Sequence, residues 1–532
     1  MRPTNYHLFD FMDFDTDLKR DESLWKAYKP TSVREKDGDI LVEVPFQKQQ
    51  LANDMAPDTD VPQETQTLVI RQYEPGILRL FMGCGGEQPS DTSEMLQMSA
   101  RVKRLPLKAE FVDDQWIITD GAGVRRAVIN MQQPVLDRWS ELLPDPQETL
   151  DIRLFPDGKH EVRLAAYDHF SPPRYDALPL AYCKLNGRRE RATLSFECKL
   201  NECFAGTGER FGKMDLSGQT FFLKNQDGQG VNNRRTYKNI PFYISSRMYG
   251  VFYHTTAYSK LSLAGVSTRS VEFLSDQALI DAFIIGGDTV EQITRGYRDL
   301  TGYPSMPPLW SYGVWMSRMT YFSADEVNGI CDRLRQEHYP CDVIHLDTGW
   351  FKTDWLCEWK FNEERFPDPK AFVQGLLKKG FKVSLWQLPY VAEDAEQIDE
   401  ARKNNYICKL TKQQDSEGSN FSALDYAGTI DFTSEKATNW YKGLLKNLLD
   451  MGVKCIKTDF GENIHMDAEY ENMSPELLNN LYSLLYQKAA YEITKEVTGD
   501  GIVWARSAWA GCQRYPLHWG GDSCSSWEGL AG

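Results

Sequence analysis

At 532 residues, with 41% hydrophobic content and 14 tryptophans, the chain is too long for one core and too apolar to be disordered, so at least two packed domains are expected. A formal net charge of −16 argues against a nucleic-acid or anionic-membrane partner and is compatible with a neutral substrate. No run approaches the ~18 apolar residues of a membrane span, so no membrane association is expected. Residues 1–19 mix Asp, His and Arg with aromatics and lack the apolar core of a signal peptide. The 11 cysteines are odd in number, scattered and without CxxC pairs, which indicates neither a disulfide framework nor a zinc site. A reduced, cytoplasmic setting is the default.

Residues 1–300 read as an N-terminal β-sandwich domain. Thr67 to Ile70 and Ile77 to Met82 flank the turn signal Glu74-Pro75-Gly76, and Leu150 to Phe155 and His160 to Leu164 flank Pro156-Asp157-Gly158 in the same manner. Further strand-like runs are Trp116 to Thr119, Ala192 to Phe196, Gly250 to His254 and Leu279 to Ile285. Helical periodicity is scarce before residue 290, so an antiparallel sandwich is the natural reading. Asn225-Gln226-Asp227-Gly228 reads as an Asp-Gly loop.

Pro304, Pro307 and Pro308 mark a boundary, and residues 301–532 alternate strand and helix in the manner of a (β/α)8 barrel. Ser311 to Ser317, Cys341 to Asp347 and Phe381 to Trp386 are the first three strands. Ser323 with Glu326 forms a capping box, Asp368-Pro369 opens the second helix and Gly380 closes it. Trp440, Leu444, Leu448 and Met451 recur at helical spacing before Gly452, and Val453 to Phe460 is a fourth strand. Ser474-Pro475 starts a long helix ending near Gly499, Ile502 to Arg506 is strand five, and Leu517 to Trp519 strand six. A closed barrel needs eight strands, so the expectation is a barrel incomplete at about six, ending before strands seven and eight.

The chemistry concentrates in Lys457-Thr458-Asp459-Phe460-Gly461-Glu462. Strand alternation puts Lys457 and Asp459 on one side, at the C-terminal tip where barrel chemistry sits. A lysine held there stabilises an ionised carboxylate, as a carboxylate nucleophile requires; a lone Lys-x-Asp is equally an ion-paired strand edge. Gly520-Gly521-Asp522, read alone, is a turn. His345 and Asp347 alternate on one strand. His-x-Asp is also a metal-ligand spacing, but no second histidine cluster accompanies it, so neither metal nor cofactor is expected.

KTDFGE together with HWGGD resembles the bacterial branch of glycoside hydrolase family 31, the retaining α-glucosidases and α-xylosidases; GTGERF (206–211) and YKNIPF (237–242) resemble that family's N-terminal domain. The resemblance implies Asp459 as nucleophile and Asp522 as acid/base, with Asp347, Lys457 and Arg506 on sugar hydroxyls or on the acids. It further implies Asp227 as a sugar contact. Trp386, by its place at the end of the third strand, is a candidate stacking platform, with a core tryptophan as the alternative. Glu462, Asp354 and Glu358 are structural or rim charges. Specificity is expected to turn on Thr348, Gly349 and Trp350. The family's α-xylosidases carry a cysteine and a phenylalanine at the first two of these positions, so the smaller residues here imply an α-glucosidase, with α-xylosidase second. The partner is an oligosaccharide or α-glycoside, and a homo-oligomer is compatible. An inactive sugar-binding relative and a metal-dependent barrel hydrolase are the other classes left open.

Overall fold

A computed structural model describes residues 22–48, 62–131, 150–164, 179–411 and 426–532; the stretch 1–19, read above as lacking a signal-peptide core, lies outside them. Two compact units emerge. The first comprises residues 1–208, 212–224 and 240–301; the second comprises 209–211, 225–239 and 302–532. The two short segments 209–211 and 225–239, which the sequence reading gave to the sandwich, thus cluster with the second unit.

The first unit is built on a 15-stranded sheet and a separate five-stranded one, in which strands 107–112, 115–120, 125–130, 152–154 and 162–164 follow one another. Its pairings are antiparallel, as in Val69–Phe81 through Tyr73–Ile77 around the Pro75-Gly76 turn. Strands Ile77–Met82, Ser270–Ser275 and Ile280–Gly286 are buried at every position. A strand without a solvated alternate has both faces covered, so the large sheet curls over its own apolar side.

The second unit carries a sheet of five parallel strands: β1 (Trp315–Arg318), β2 (Val343–Leu346), β3 (Lys382–Gln387), β4 (Cys455–Thr458) and β5 (Trp504–Ala505), paired in that order. The expected sixth strand lies beside β5 as one parallel bridge, Ala505 to His518, with four backbone hydrogen bonds between 503–505 and 516–519. Pro516 on one side and Gly520-Gly521 on the other bound this extended run. The described sheet is a half-barrel of five parallel strands with this segment bonded to its edge.

Helices α1 (Ala324–Gln336), α2 (Pro369–Lys378), α3 (Glu435–Leu449) and α4 (Pro475–Thr498) cross between these strands. Ser323 Oγ accepts from the Glu326 amide at 3.1 Å, and Asp368 Oδ1 from the Ala371 amide at 2.9 Å. Each cap satisfies one of the amides a helix start leaves free. On α3 the buried stripe is Ala437, Tyr441, Leu445 and Leu448, with Trp440 and Leu444 at its margin. Helix α4 is buried nearly all round, and its polar Asn479, Ser483 and Gln487 are buried with it. All 11 cysteines are free thiols. Among the described residues no helix is long and apolar enough to cross a membrane.

Candidate active site

Strand β4 ends at Thr458, and the chain must turn at once because Tyr486 and Ser507 stand against it. Phe460 and Gly461 take left-handed backbone angles, φ +60° and +84°. A Cβ on Gly461 would lie 2.9 Å from the Tyr486 ring, so only glycine fits the second position. Helix α4 braces this turn. Ser483 Oγ donates to the Gly461 carbonyl at 3.1 Å, and Tyr486 Oη to the Asp459 carbonyl at 3.2 Å. The buried polar residues of α4 are thus the supports of the β4 turn, and Asp459 is fixed where β4 ends.

Its carboxylate is heavily engaged. Oδ2 accepts from Trp386 Nε1 at 2.7 Å and lies 3.6 Å from Lys457 Nζ. Oδ1 accepts from the Phe460 amide at 2.9 Å and lies 3.3 Å from Arg506 Nε. Lys457 sits closer to Asp347, at 3.0 Å, and its ammonium lies over the rings of Trp504 and Trp519, at 5.2 and 4.9 Å. Burial disfavours the Lys457 charge, yet Asp459 and Asp347 together hold its pKa above the ordinary lysine value.

Asp347 ends β2. Its Oδ2 pairs with His345 Nε2 at 2.9 Å, and His345 Nδ1 meets Ser384 Oγ at 3.0 Å. Burial holds the imidazole pKa below its ordinary value, so it is neutral. A carboxylate has no proton to give, so Nε2 carries the hydrogen and Nδ1 accepts from the serine hydroxyl. Burial opposes the charge on Asp347 as well, but the His345 hydrogen bond and Lys457 outweigh it and keep its carboxyl below the usual range.

Arg506, just beyond β5, joins the two candidate carboxyls. Its Nε faces Asp459, its Nη1 donates to Asp522 Oδ2 at 3.0 Å, and its Nη2 pairs tightly with the buried Glu462. The guanidinium lies over Phe460 and Tyr237, at 4.0 and 4.7 Å. Asp522 is half exposed, its side chain 49% accessible against 9% for Asp459. Partial burial raises its carboxyl pKa, with the Asp459 charge pushing the same way and Arg506 opposing. Two nearby carboxyls thus differ in environment, as an acid and a nucleophile must. Asp522 is reached through Gly521, at φ +91°, where a Cβ would meet the Tyr237 ring at 2.2 Å. The segment 225–239 is stitched to this loop. The Gly230 amide donates to the Asp522 carbonyl at 2.7 Å, and Lys238 pairs with Glu209 at 2.6 Å and with the Trp519 carbonyl.

These groups open onto one cavity of about 1420 Å³, lined among others by Asp347, Lys457, Asp459, Arg506, Asp522 and Asp227. Asp227 Oδ1 accepts from Tyr237 Oη at 2.8 Å and from the Gln229 amide at 2.9 Å, so it is both a turn residue and a lining residue. Three expectations need correction. Trp386 is fully buried and cannot stack on a sugar in this conformation; it orients Asp459 through its indole N–H. Trp350 is buried too and donates to the Trp386 carbonyl at 2.9 Å. Thr348 is buried behind Met319, whose sulfur lies 4.0 Å from its hydroxyl. The aromatic groups on the cavity wall are instead Trp355 and Phe460. Glu462, taken from the sequence as a structural or rim charge, is the buried partner of Arg506. Its position three residues beyond Asp459 carried no signal for that pairing. Trp355 sits in a loop where no periodicity exists to point it inward.

Two family models match the chain: the galactose mutarotase-like N-terminal domain of glycosyl hydrolase family 31 over residues 67–261, and the family 31 TIM-barrel domain over residues 304–532. An alpha-xylosidase of Emericella nidulans is 35% identical over 353 residues, covering 64% of this chain and 44% of that protein. An alpha-xylosidase of Lactiplantibacillus pentosus is 33% identical over 330 residues, covering 61% and 42%. The chain thus spans less than half the length of either relative. Among solved structures, a family 31 alpha-xylosidase from a soil metagenome, complexed with xylose, superposes with a TM-score of 0.73 at 20% identity, covering 94% of this chain and 69% of that one. With both of its units matched by that family's own models, the chain belongs to glycoside hydrolase family 31.

Proposed function

We propose that this chain carries the active site of a retaining exo-α-glycosidase working by double displacement. The observation that carries the reading is the single guanidinium of Arg506 touching Asp459 at 3.3 Å and Asp522 at 3.0 Å at one cavity wall. Retaining enzymes hold their two carboxyls about 5–5.5 Å apart, and a shared guanidinium is compatible with that spacing. Asp459 attacks the anomeric carbon as a carboxylate while Asp522, its proton held by partial burial and by the facing charge, protonates the departing oxygen. Water then enters where the leaving group was, Asp522 takes its proton, and the glycosyl–Asp459 ester is cleaved with net retention. Asp347 and Lys457 are placed to bind hydroxyls of the reacting sugar.

Of the two substrate classes, the α-xyloside is the better supported. Both of the relatives reported above are alpha-xylosidases, and the small residues at 348–349 do not leave open room. A Cβ on Gly349 would meet Thr320 Cγ2 at 2.2 Å, and Met319 stands between Thr348 and the cavity. The segment after β1, with Met319 and Thr320, supplies bulk at these two residues. The α-glucoside remains the second reading on the size of Thr348 and Gly349 alone.

The test is two measurements. Aryl α-xyloside and aryl α-glucoside are compared by kcat/KM; a pocket that excludes one hydroxymethyl group is worth roughly 1–3 kcal/mol, or about 10–200-fold in favour of the xyloside. A glucoside preference returns the assignment to α-glucosidase. Separately, a 5-fluoroglycosyl fluoride traps the covalent ester, and peptide mapping is expected to find it on Asp459. An ester on another residue sinks the mechanism.

A further inference from the structure

Three cations on the cavity lining, Lys457, Arg506 and Arg318, each have a carboxylate partner. Lys457 is paired with Asp347 and Asp459, Arg506 with Asp459, Glu462 and Asp522, and Arg318 with Glu326 at 2.9 Å. Arg234 and Arg235 also line the cavity, and neither has an ion-pair partner among the described residues. The two residues are exposed and adjacent on the cavity lining.

Their place relative to the chemistry is also defined. The segment bearing them closes on itself, with the Gln226 amide on the Thr236 carbonyl at 3.1 Å and the Arg235 amide on Asn233 Oδ1 at 2.8 Å. It is bonded to the acid/base loop through the Gly230 amide and the Asp522 carbonyl, and Gly230 bridges to Ser523. A general acid must touch the oxygen of the departing group. The leaving group therefore lies on the Asp522 side of the reacting sugar, the side to which this segment is tied. A cavity of about 1420 Å³ exceeds the ~300–1,000 Å³ typical of a site for one small ligand, which leaves space for an aglycone beyond that sugar.

We infer that Arg234 and Arg235 form a cationic subsite for the leaving group, selecting α-glycosides whose aglycone carries an anion such as a carboxylate. The inference rests on the glycosidase reading above and adds the class of aglycone. A guanidinium fork matches a carboxylate with two parallel hydrogen bonds, where a neutral hydroxyl offers one acceptor and no charge. Neutral sugars would still enter, since nothing repels them.

The probes are 4-carboxyphenyl and 4-carbamoylphenyl α-glycosides of the hydrolysed sugar, which differ in charge and hardly in size. Dissociation constants are measured by calorimetry on Asp459→Asn protein, so that binding is read without turnover, and KM on the unsubstituted protein. A charge-assisted contact to exposed guanidiniums is screened by solvent, so the carboxylate is expected to bind roughly 10-fold more tightly than the carboxamide. In a Arg234→Ala/Arg235→Ala background the ratio falls to about one, and it shrinks as salt rises from about 20 to 300 mM. A ratio near one without the arginine changes, or one that survives them, overturns the subsite. Binding of the carboxylate probe without hydrolysis of either compound would instead count against the glycosidase reading and leave the subsite standing.

Discussion

Each unit of this protein buries a network of charges, and the two are organised to opposite ends. In the first unit Arg79, 1% exposed, clamps Asp281 with Nε at 2.7 Å and Nη2 at 2.6 Å, while His254 Nδ1 meets the same carboxylate at 2.7 Å. Arg71 holds Asp39 in the same two-pronged manner, at 3.0 and 2.9 Å. The clamped carboxylates are spoken for by protein donors, and burial, which opposes the charge on Asp281, is outweighed by Arg79. In the second unit one guanidinium touches three carboxyls whose exposure rises from Glu462 through Asp459 to Asp522. The first network reaches solvent through Asp91, which both arginines touch at 3.3 and 3.0 Å; the second opens onto a cavity. Buried ion pairs alone therefore mark no site. What distinguishes the catalytic candidate is a gradient of exposure along a shared cation, which places two like groups in unlike surroundings at a cavity.

Removing Asp459, the middle carboxylate of that series, should have the largest effect. Asp459→Ala is expected to lower kcat by about four orders of magnitude, as loss of a nucleophile does elsewhere, with the fold intact by circular dichroism. Azide should then attack activated substrates directly and give the β-glycosyl azide, the anomer opposite to the substrate. Activity within tenfold of the unsubstituted protein would remove Asp459 from the chemistry. The first unit's network answers in stability instead. Arg79→Leu leaves His254 as the side-chain partner of the buried Asp281, and breaking one side of a buried pair costs about 3–5 kcal/mol, read as a fall in the urea midpoint. A loss below about 1 kcal/mol would show that the network is solvated and weaken the contrast drawn here.

The legible part of the site was the part written in strands and turns. Asp459 and Lys457 could be placed because a strand's alternation and its C-terminal end follow from local pattern, and Gly520-Gly521 announced a sharp turn before Asp522. The helix starts at Ser323 and Asp368 were equally readable, since a cap depends on three or four adjacent residues. Burial depth was not readable. Trp386, Trp350 and Thr348 lie at strand ends, where sequence cannot tell a side chain facing the cavity from one turned behind it. The packing of Thr320 against Gly349 joins residues 29 apart in sequence, and no periodicity links them. Strand length at the sheet edge was not readable either: β5 is two residues long and the segment bonded to it makes one bridge, although both runs are β-prone by composition. Strand length there is decided by the partner available, which is a tertiary property.

A carboxyl without any cation sharpens the comparison. Glu272 in the first unit is 3% exposed and accepts from Ser270 Oγ at 2.7 Å, and burial raises its pKa from 4.5 to about 7 against the pull of that hydrogen bond. The folded chain thus keeps a proton that the unfolded chain releases between about pH 4.5 and 7. Stability falls as pH climbs through that window and stays reduced above it. Glu272→Gln should stabilise the protein by about 1–3 kcal/mol above pH 7 and by nothing below pH 4.5. Urea midpoints at the two ends test this, and a gain equal at both would mean that titration is not the cause.

The smallest effect probes how much of the nucleophile's placement belongs to Trp386. Its indole N–H reaches Asp459 Oδ2 at 2.7 Å, while its ring is wedged edge-on between Phe351 and Trp355, at 5.8 and 5.6 Å. Trp386→Phe keeps an aromatic in that slot and removes the donor. One hydrogen bond to a charged group contributes about 1.5–3 kcal/mol, but Lys457, the Phe460 amide and Arg506 remain in place, so a fall in kcat of about tenfold is expected, with KM nearly unchanged. That split separates orientation of the carboxylate from sugar stacking, which would raise KM instead. Trp355→Ala supplies the opposite pattern, because its ring faces the cavity: KM should rise with a smaller change in kcat. If the two variants exchange these signatures, the buried tryptophan moves during turnover, and the division between a rigid support and a sugar-facing wall would have to be redrawn.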